Sequence, residues 1–222
     1  MFALLGTIGI TTLVLCTGRP VLADTVRAEV EISTKEIGEK ESPIGNLIAD
    51  AIRASAKSDL AFLAASYFTS DIKFPKGDVD TNELLKVLEY RDDNIAIVKL
   101  TGAQITKALE HGLHLYPKPN SGFLHFSGIT VTIDPAGEKE KRVLSVKIEG
   151  ETLDANKTYK VAMPTPLANG ALAYFKIWKK DDIDKEATKK MDNKTLGDAV
   201  KAALKERKTI GKGEERLVIK GK

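Results

Sequence analysis

The sequence predicts an α+β protein, a mixed sheet with flanking helices, from three features of its apolar pattern. Residues 44–52 repeat with helical period behind a clear cap, several short runs alternate with period two, and the helices fall among hairpin-like strands instead of after every strand.

A first strand is expected over residues 25–32, where Val26, Ala28, Val30 and Ile32 alternate with polar neighbours. Ser42-Pro43 then opens the clearest helix. Ser42 is a good N-cap, Pro43 suits the first helical position, and Ile44, Leu47, Ile48, Ala51 and Ile52 form one stripe that ends near Lys57. The continuous run Leu60-Ala61-Phe62-Leu63-Ala64 reads as a buried strand. Asp80-x-x-Glu83 and Thr101-x-x-Gln104 have the form of capping boxes. They place helix starts near 81 and 102, the second helix stopping at Gly112, with a strand over 95–100 between them. Residues 129–133, 143–148 and 159–162 read as strands separated by the turns Asp134-Pro135-Ala136-Gly137 and Leu153-Asp154. Thr195 caps a last helix through Leu196, Ala199, Val200, Ala203 and Leu204, and a strand closes over 216–219. The Lys- and Asp-rich stretch 179–194 is expected to be a polar connector.

With 34 basic against 31 acidic residues in 222, the net charge of +3 argues against a nucleic-acid partner held by a basic surface. The 42% apolar and 29% charged residues are those of an ordinary globular protein and exclude a disordered, collagenous or polytopic membrane chain. Cys16 is the single cysteine, so no internal disulfide and no thiolate-rich metal centre is possible, and three histidines are too few for most multi-metal sites. Residues 1–17 carry no charge, the apolar run over 2–15 is shorter than the roughly 20 residues that span a bilayer, and a small residue, Ala23, precedes Asp24. A signal peptide is therefore expected over 1–23, with export to the periplasm or the outside, no membrane attachment after cleavage, and a single domain over 24–222. The missing basic start leaves an uncleaved anchor as the alternative.

The compact catalytic signatures are absent: no Gly-x-Ser-x-Gly elbow, no glycine-rich phosphate loop ending in Gly-Lys, no His-Glu-x-x-His and no thiol nucleophile after residue 23. His111 and His114 read as helix-end cations facing the C-terminal dipole, and His125 as a surface or hydrogen-bonded residue of an alternating strand. Asp92-Asp93 and Asp181-Asp182 read as solvated turn residues. Tyr67-Phe68 and Tyr174-Phe175-x-x-Trp178 lie in turn-like stretches, where rings serve either the core or a flat stacking ligand.

Taken in order, the segments Glu41-Ser42-Pro43-Ile44-Gly45-Asn46 with Asp50 and Arg53, Ser58-Asp59, Gly77-Asp78, Val87-Leu88, Leu100-Thr101-Gly102-Ala103-Gln104 and Glu110-His111-Gly112 resemble the C-terminal domain of the 5′-nucleotidase family. Phe126-Ser127-Gly128, Leu153-Asp154-x-x-Lys157-Thr158-Tyr159 and Arg216-Leu217 extend the resemblance to about Ile219. It implies a fold in which this domain binds the nucleoside part of a substrate while a preceding metallophosphoesterase domain carries a two-metal centre. The Asp-x-His, Gly-Asn-His and His-x-His tripeptides of that centre are absent from this sequence, so no metal, no cofactor and no catalysis by this chain alone are expected.

The resemblance also locates a diverged pocket. Where the family has Asn-Gly-Gly-Gly-Ile-Arg, this sequence has Ala64-Ala65-Ser66-Tyr67-Phe68-Thr69, with Thr69 in the arginine's place. Where the family has Asn-Phe-x-Ala-x-Gly-Gly-Asp-Gly-Tyr, it has Thr165-Pro166-Leu167-Ala168-Asn169-Gly170-Ala171-Leu172-Ala173-Tyr174, and the family's Pro-Phe-Gly-Asn becomes Glu89-Tyr90-Arg91-Asp92-Asp93-Asn94. The candidate ligand residues are thus Tyr67, Thr69, Tyr90, Asn94, Asn169 and Tyr174, around a nucleoside-like small molecule that is flatter or less charged than a nucleotide. Three readings stay open: a non-catalytic binding module, the substrate-binding subunit of a two-chain phosphoesterase completed by a separate metallophosphoesterase chain, or a structural domain with a decayed pocket.

Overall fold

The computed structural model describes residues 24–221, so the leader expected over 1–23 lies outside the described residues. The chain runs β1 (Thr25–Ala28), β2 (Ile32–Ser33), α1 (Pro43–Ala56), β3 (Leu60–Ala64), β4 (Lys73–Phe74), β5 (Gly77–Asp80), α2 (Thr81–Leu84), β6 (Ile95–Thr101), α3 (Gly102–Gly112) and β7 (Leu124–Ser127). It continues with β8 (Thr130–Ile133), β9 (Val143–Ile148), β10 (Glu151–Thr152), β11 (Thr158–Pro164), α4 (Thr165–Ala168), α5 (Lys185–Lys189), α6 (Leu196–Arg207), β12 (Thr209–Ile210) and β13 (Leu217–Ile219). The class is α+β. The central sheet has the order β6-β11-β3-β7 and is mixed: β11 and β3 run parallel, and the other two pairings are antiparallel. A second four-stranded sheet has the order β10-β9-β8-β13, a three-stranded one β12-β1-β5, and β2-β4 form a two-stranded pair.

Local chemistry sets the main elements. The Ser42 hydroxyl accepts from the Gly45 amide at 3.1 Å, Pro43 opens α1, and the helix ends at Lys57 in the left-handed region with φ 48°. The expected stripe of Ile44, Leu47, Ile48, Ala51 and Ile52 is buried, and α1 packs on β3 and β7 and against α6. Every residue of β3 is buried, as its unbroken apolar run requires. The capping boxes of α3 and α6 both form: Thr101 Oγ1 accepts from the Gln104 amide at 3.2 Å and Thr195 Oγ1 from the Asp198 amide at 3.1 Å. Trp178, Tyr174 and Phe62 are the largest fully enclosed side chains of the apolar core among the described residues.

Four expectations are corrected. The alternating run over 25–32 is split between two sheets: β1 pairs with β5 and β12, whereas Ile32 pairs with Phe74 of β4. Asp80 caps as expected, accepting from the Asn82 and Glu83 amides, but α2 lasts one turn and gives way to a 3₁₀ turn over Leu85–Val87. Leu84, Leu85, Val87 and Leu88 are all buried, and the chain leaves the helical path at Leu88, whose backbone is extended and bridges Phe68. The strand carrying His125 does not alternate, because β7 is buried along its whole length.

The stretch 179–194 is more than a connector. Ile183 bridges Val98, the Asp184 amide donates to the Ile97 carbonyl at 2.8 Å, Thr188 Oγ1 accepts from the Ile97 amide at 3.0 Å, and Lys99 pairs with Asp184 at 3.1 Å. The segment lies along the outer edge of β6 and satisfies backbone groups that a free sheet edge leaves open.

Topology also fixes where a ligand site can form. Parallel strands β3 and β11 end on one side of the sheet and release residues 65–69 and 165–175 there. Antiparallel β6 and β7 start on that same side, so residues 89–94 and 121–123 enter from it.

Candidate functional site

The three segments that hold the candidate residues are tied together by short bonds. The Thr69 amide donates to the Val87 carbonyl at 2.9 Å and the Glu89 amide to the Tyr67 carbonyl at 3.0 Å, which sets residues 67–69 beside 87–89. Thr165 donates to the Asn94 carbonyl twice, from its amide at 2.8 Å and its hydroxyl at 2.9 Å, while the Asn169 amide returns to the Thr165 carbonyl at 2.9 Å. Tyr90 is 53% exposed and meets the buried Tyr67 edge-on, with ring centroids 5.8 Å apart at 77°. Asn94 and Asn169 are exposed and Thr69 is half-buried. Five of the six candidates therefore gather at one end of the sheet, Tyr67 as a floor and the others at or near the surface.

The charge at this end is largely acidic. Thr69 Oγ1 donates to Glu89 Oε2 at 3.1 Å, so the position where the resemblance places an arginine holds a hydroxyl already paired to a carboxylate. Burial first, and then the neighbouring Asp92 charge, push the Asp93 carboxyl above its ordinary value. The Tyr67 hydroxyl is pushed well up as well, by burial and then by the Asp93 charge, and it sits against the backbone of Leu167. Arg91 is the cation within this run, against Glu89, Asp92 and Asp93.

Tyr174 is corrected as a ligand-facing residue. It is fully enclosed, its hydroxyl donates to the Gly122 carbonyl at 2.7 Å, its ring stacks on Trp178 with centroids 4.7 Å apart, and His111 meets it edge-on. Burial raises its hydroxyl pKa. The ring belongs to the core because it is wholly enclosed and packed against Trp178 and His111. Phe175, one residue on, is 61% exposed. The motif Tyr174-Phe175-x-x-Trp178 holds it in the sequence, and the structure shows that two of its rings fill the core while Phe175 faces solvent.

The histidines divide between bonding and packing. His111 Nε2 meets the Leu172 carbonyl at 2.8 Å and His114 Nδ1 the His111 carbonyl at 2.7 Å, so both serve the end of α3. His125 is buried with Nε2 donating to the Ile37 carbonyl at 2.9 Å, which leaves Nδ1 as an acceptor without a partner. Burial lowers its pKa to about 4 against the opposing pull of the Ile37 bond. Among the described residues no group of three or more His, Cys, Asp and Glu side chains could hold a metal ion.

The motif residues that carry the resemblance meet elsewhere, in a fold-holding network. Arg216 bonds Asp50 at 2.8 Å and the Phe126 carbonyl at 3.0 Å, Ser127 donates to Asp50 at 2.6 Å, and Glu41 accepts from the amides of Arg216 and Leu217, the latter at 2.9 Å. Burial works against ionisation of Asp50, yet the bonds from Arg216 and Ser127 and the charges of Arg216 and Arg207 outweigh it and hold its carboxyl below the ordinary value. A groove of about 370 Å³ opens over Asp50, Arg207, Gly211 and Arg216. Similarly, the Gly102 amide donates to the Lys157 carbonyl at 3.0 Å and the Asp154 amide to the Tyr159 hydroxyl at 3.1 Å, joining two further motifs.

Comparison with known proteins agrees with this architecture. The family model described as 5′-nucleotidase, C-terminal domain, matches residues 21–179, so it starts earlier than the resemblance read from the sequence and stops short of Arg216-Leu217. The trifunctional nucleotide phosphoesterase protein YfkN of Bacillus subtilis is 32% identical over 142 residues, which is 61% of this chain and 10% of that protein. A snake venom 5′-nucleotidase of Naja atra is 28% identical over 133 residues, 56% of this chain and 25% of that protein. The chain thus spans a quarter or less of the length of these two relatives. The crystal structure of a 5′-nucleotidase precursor from Thermus thermophilus superposes with a TM-score of 0.72 at 22% identity, covering 89% of this chain and 39% of that one, a likeness of fold.

Proposed function

Because the chain belongs to the 5′-nucleotidase C-terminal domain family, we propose that it is an exported, non-catalytic module that binds a nucleoside-type ligand through the surface around Tyr67, Thr69, Tyr90, Asn94 and Asn169. The observation that carries this reading is the exposed Tyr90 ring set beside the Thr69–Glu89 pair, at the end of the sheet where parallel β3 and β11 terminate. An aromatic face open to water suits a flat base, whose stacking is worth about 1–3 kcal/mol. A phosphate is disfavoured, because it would be desolvated beside Glu89, Asp92 and Asp93 without the guanidinium that recognises it elsewhere. A neutral nucleoside is therefore expected to bind at least as well as its monophosphate.

Calorimetry with adenosine and AMP tests this. AMP binding more than about tenfold tighter, a gap of about 1.4 kcal/mol, would assign the anion to a cation such as Arg91 or Lys73 and refute the charge argument. Undetectable binding of both would leave a structural domain with a decayed pocket. The purified protein is also expected to hydrolyse neither AMP nor an aryl phosphate with Mn, Mg, Zn or Co, since two-metal hydrolysis needs a ligand set that this sequence does not supply. Hydrolysis above a protein-free blank would overturn the non-catalytic reading.

A second reading is favoured by one fact: a relative named as a nucleotide phosphoesterase is matched over 10% of its own length. On that reading the chain supplies substrate binding to a separate metallophosphoesterase chain, and phosphatase activity appears only when that chain is added. Export is supported by the uncharged segment before Arg19 and by Ala23 ahead of Asp24. It predicts a secreted or periplasmic protein whose first residue is Asp24, and among the described residues no helix is long and apolar enough to cross a membrane. N-terminal sequencing that finds Met1 on cytosolic protein would refute it.

A further inference from the structure

We propose that a cleft between the end of α1 and α5 is a second binding site, one for a small phosphate-bearing molecule, at the opposite end of the central sheet from residues 65–69 and 165–175. Lys57 closes α1 just before β3 begins at Leu60, and Lys160 stands near the start of β11, so both lie where these parallel strands enter the sheet. The cleft has a volume of about 550 Å³. Its lining includes Ser55 and Lys57 from the end of α1, Ile97 and Lys160 from the sheet, and Glu186 and Lys190 from α5 and its end.

The charges around this cleft do not balance. Lys99 and Lys160 face each other directly across β6 and β11, a pairing that is unfavourable between like charges. Asp184, which also lines the cleft, bonds Lys99 at 3.1 Å and accepts from the Ala187 amide at 3.0 Å through its other oxygen, while Asp59 accepts the Lys160 backbone amide at 2.8 Å. Lys57, Lys160 and Lys190 have no ion pair among the described residues, and Glu186 is the only carboxylate of the lining left to face all three. The helix dipole accounts for Lys57 at the end of α1, but it offers nothing to Lys160 on a strand. Ser55 adds a donor: its hydroxyl is buried without a hydrogen-bond partner, although a helical serine can return it to the carbonyl one turn back. A phosphate group supplies the missing counter-charge, because its oxygens accept from several ammonium groups at once and lysine meets it as a flexible point charge. The volume leaves room for an organic part against Ile97.

The test is calorimetry of the purified protein with inorganic phosphate and with glycerol 3-phosphate, neither of which carries a base, for the wild type, for Lys160→Gln with Lys190→Gln, and for Lys141→Gln as a control outside the cleft. Both probes are expected to bind the wild type saturably, the ester at least as tightly as the free anion. The double variant should bind about tenfold more weakly and the control unchanged. Without ligand the double variant should keep the wild-type Tm, since both lysines are exposed, and phosphate should raise the Tm of the wild type more than sodium chloride of equal ionic strength does. The proposal is overturned by the absence of saturable binding of either probe at about 10 mM, by binding that survives the double substitution, or by an equal loss in Lys141→Gln. A protein that binds phosphate and rejects glycerol 3-phosphate overturns the assignment to a phosphate-bearing molecule.

Discussion

Glu89 accepts the Thr69 hydroxyl at 3.1 Å, which puts a carboxylate in the path of any cation introduced at position 69. Thr69→Arg alone is therefore expected to leave AMP affinity nearly unchanged, the guanidinium being taken up by Glu89. Thr69→Arg with Glu89→Gln frees it, and AMP should then bind about tenfold tighter, the scale of one charge-assisted bond of about 1.5–3 kcal/mol reduced by exposure. Isothermal titration of the two variants checks the difference. Equal gains in both would show that Glu89 does not compete.

Gly45 and His125 interlock in the core. A side chain at Gly45 would overlap the His125 ring, and the ring is fully buried between Phe68, Phe123 and the start of α1. Gly45→Ala is expected to destabilise the fold by about 1–3 kcal/mol, although alanine is normally the better helix former. Urea unfolding at neutral pH measures it, and a stabilised variant would refute the contact.

His125 also makes stability depend on pH. Its folded pKa is near 4 and its ordinary value 6.5, so the unfolded chain binds the extra proton between those limits and the fold favours the neutral ring. This contribution is fully present above pH 6.5 and is lost as pH falls toward 4, amounting to about 3 kcal/mol at the acid end. Denaturation curves at pH 4.5 and 7 should show the loss in wild type and much less of it in His125→Gln. Asp50, held below its ordinary value, loses its own contribution at lower pH than this window.

Asp50 separates buried from exposed ion pairing. Its partner Arg216 has a side chain 16% exposed, whereas Arg207, which also reaches Asp50, is 52% exposed. Asp50→Ala should cost about 3 kcal/mol by leaving Arg216 uncompensated, while Arg207→Ala should cost less than about 1 kcal/mol. Thermal or urea unfolding of both variants decides it, and comparable losses would contradict the ranking.

What the sequence revealed depended on whether the signal was local. The caps at Ser42, Thr101 and Thr195 are decided within four residues, and all three helices start where those residues place them. The run over 25–32 misled because alternation reports which side of a strand is buried and says nothing about which sheet takes each half. Tyr174 misled for a related reason: neighbouring aromatics in a turn carry no mark of which one points inward, and left-handed Leu172 and Ala173 settle that. Much of the resemblance, from Glu41 and Asp50 to Arg216, proved to be mortar of the fold, so the motifs identified the architecture better than the site.

The segment along the edge of β6 bears on behaviour at high protein concentration. Ile95, Ala96, Ile97 and Val98 are buried and apolar, and an uncovered strand of that composition is a template on which other chains add. By occupying the Ile97 backbone groups from within the molecule, Asp184 and Thr188 act as a built-in chain terminator for intermolecular sheet growth. The lysines and aspartates around them keep that outer layer hydrated, so a stretch rich in charge works against sheet-to-sheet association between copies.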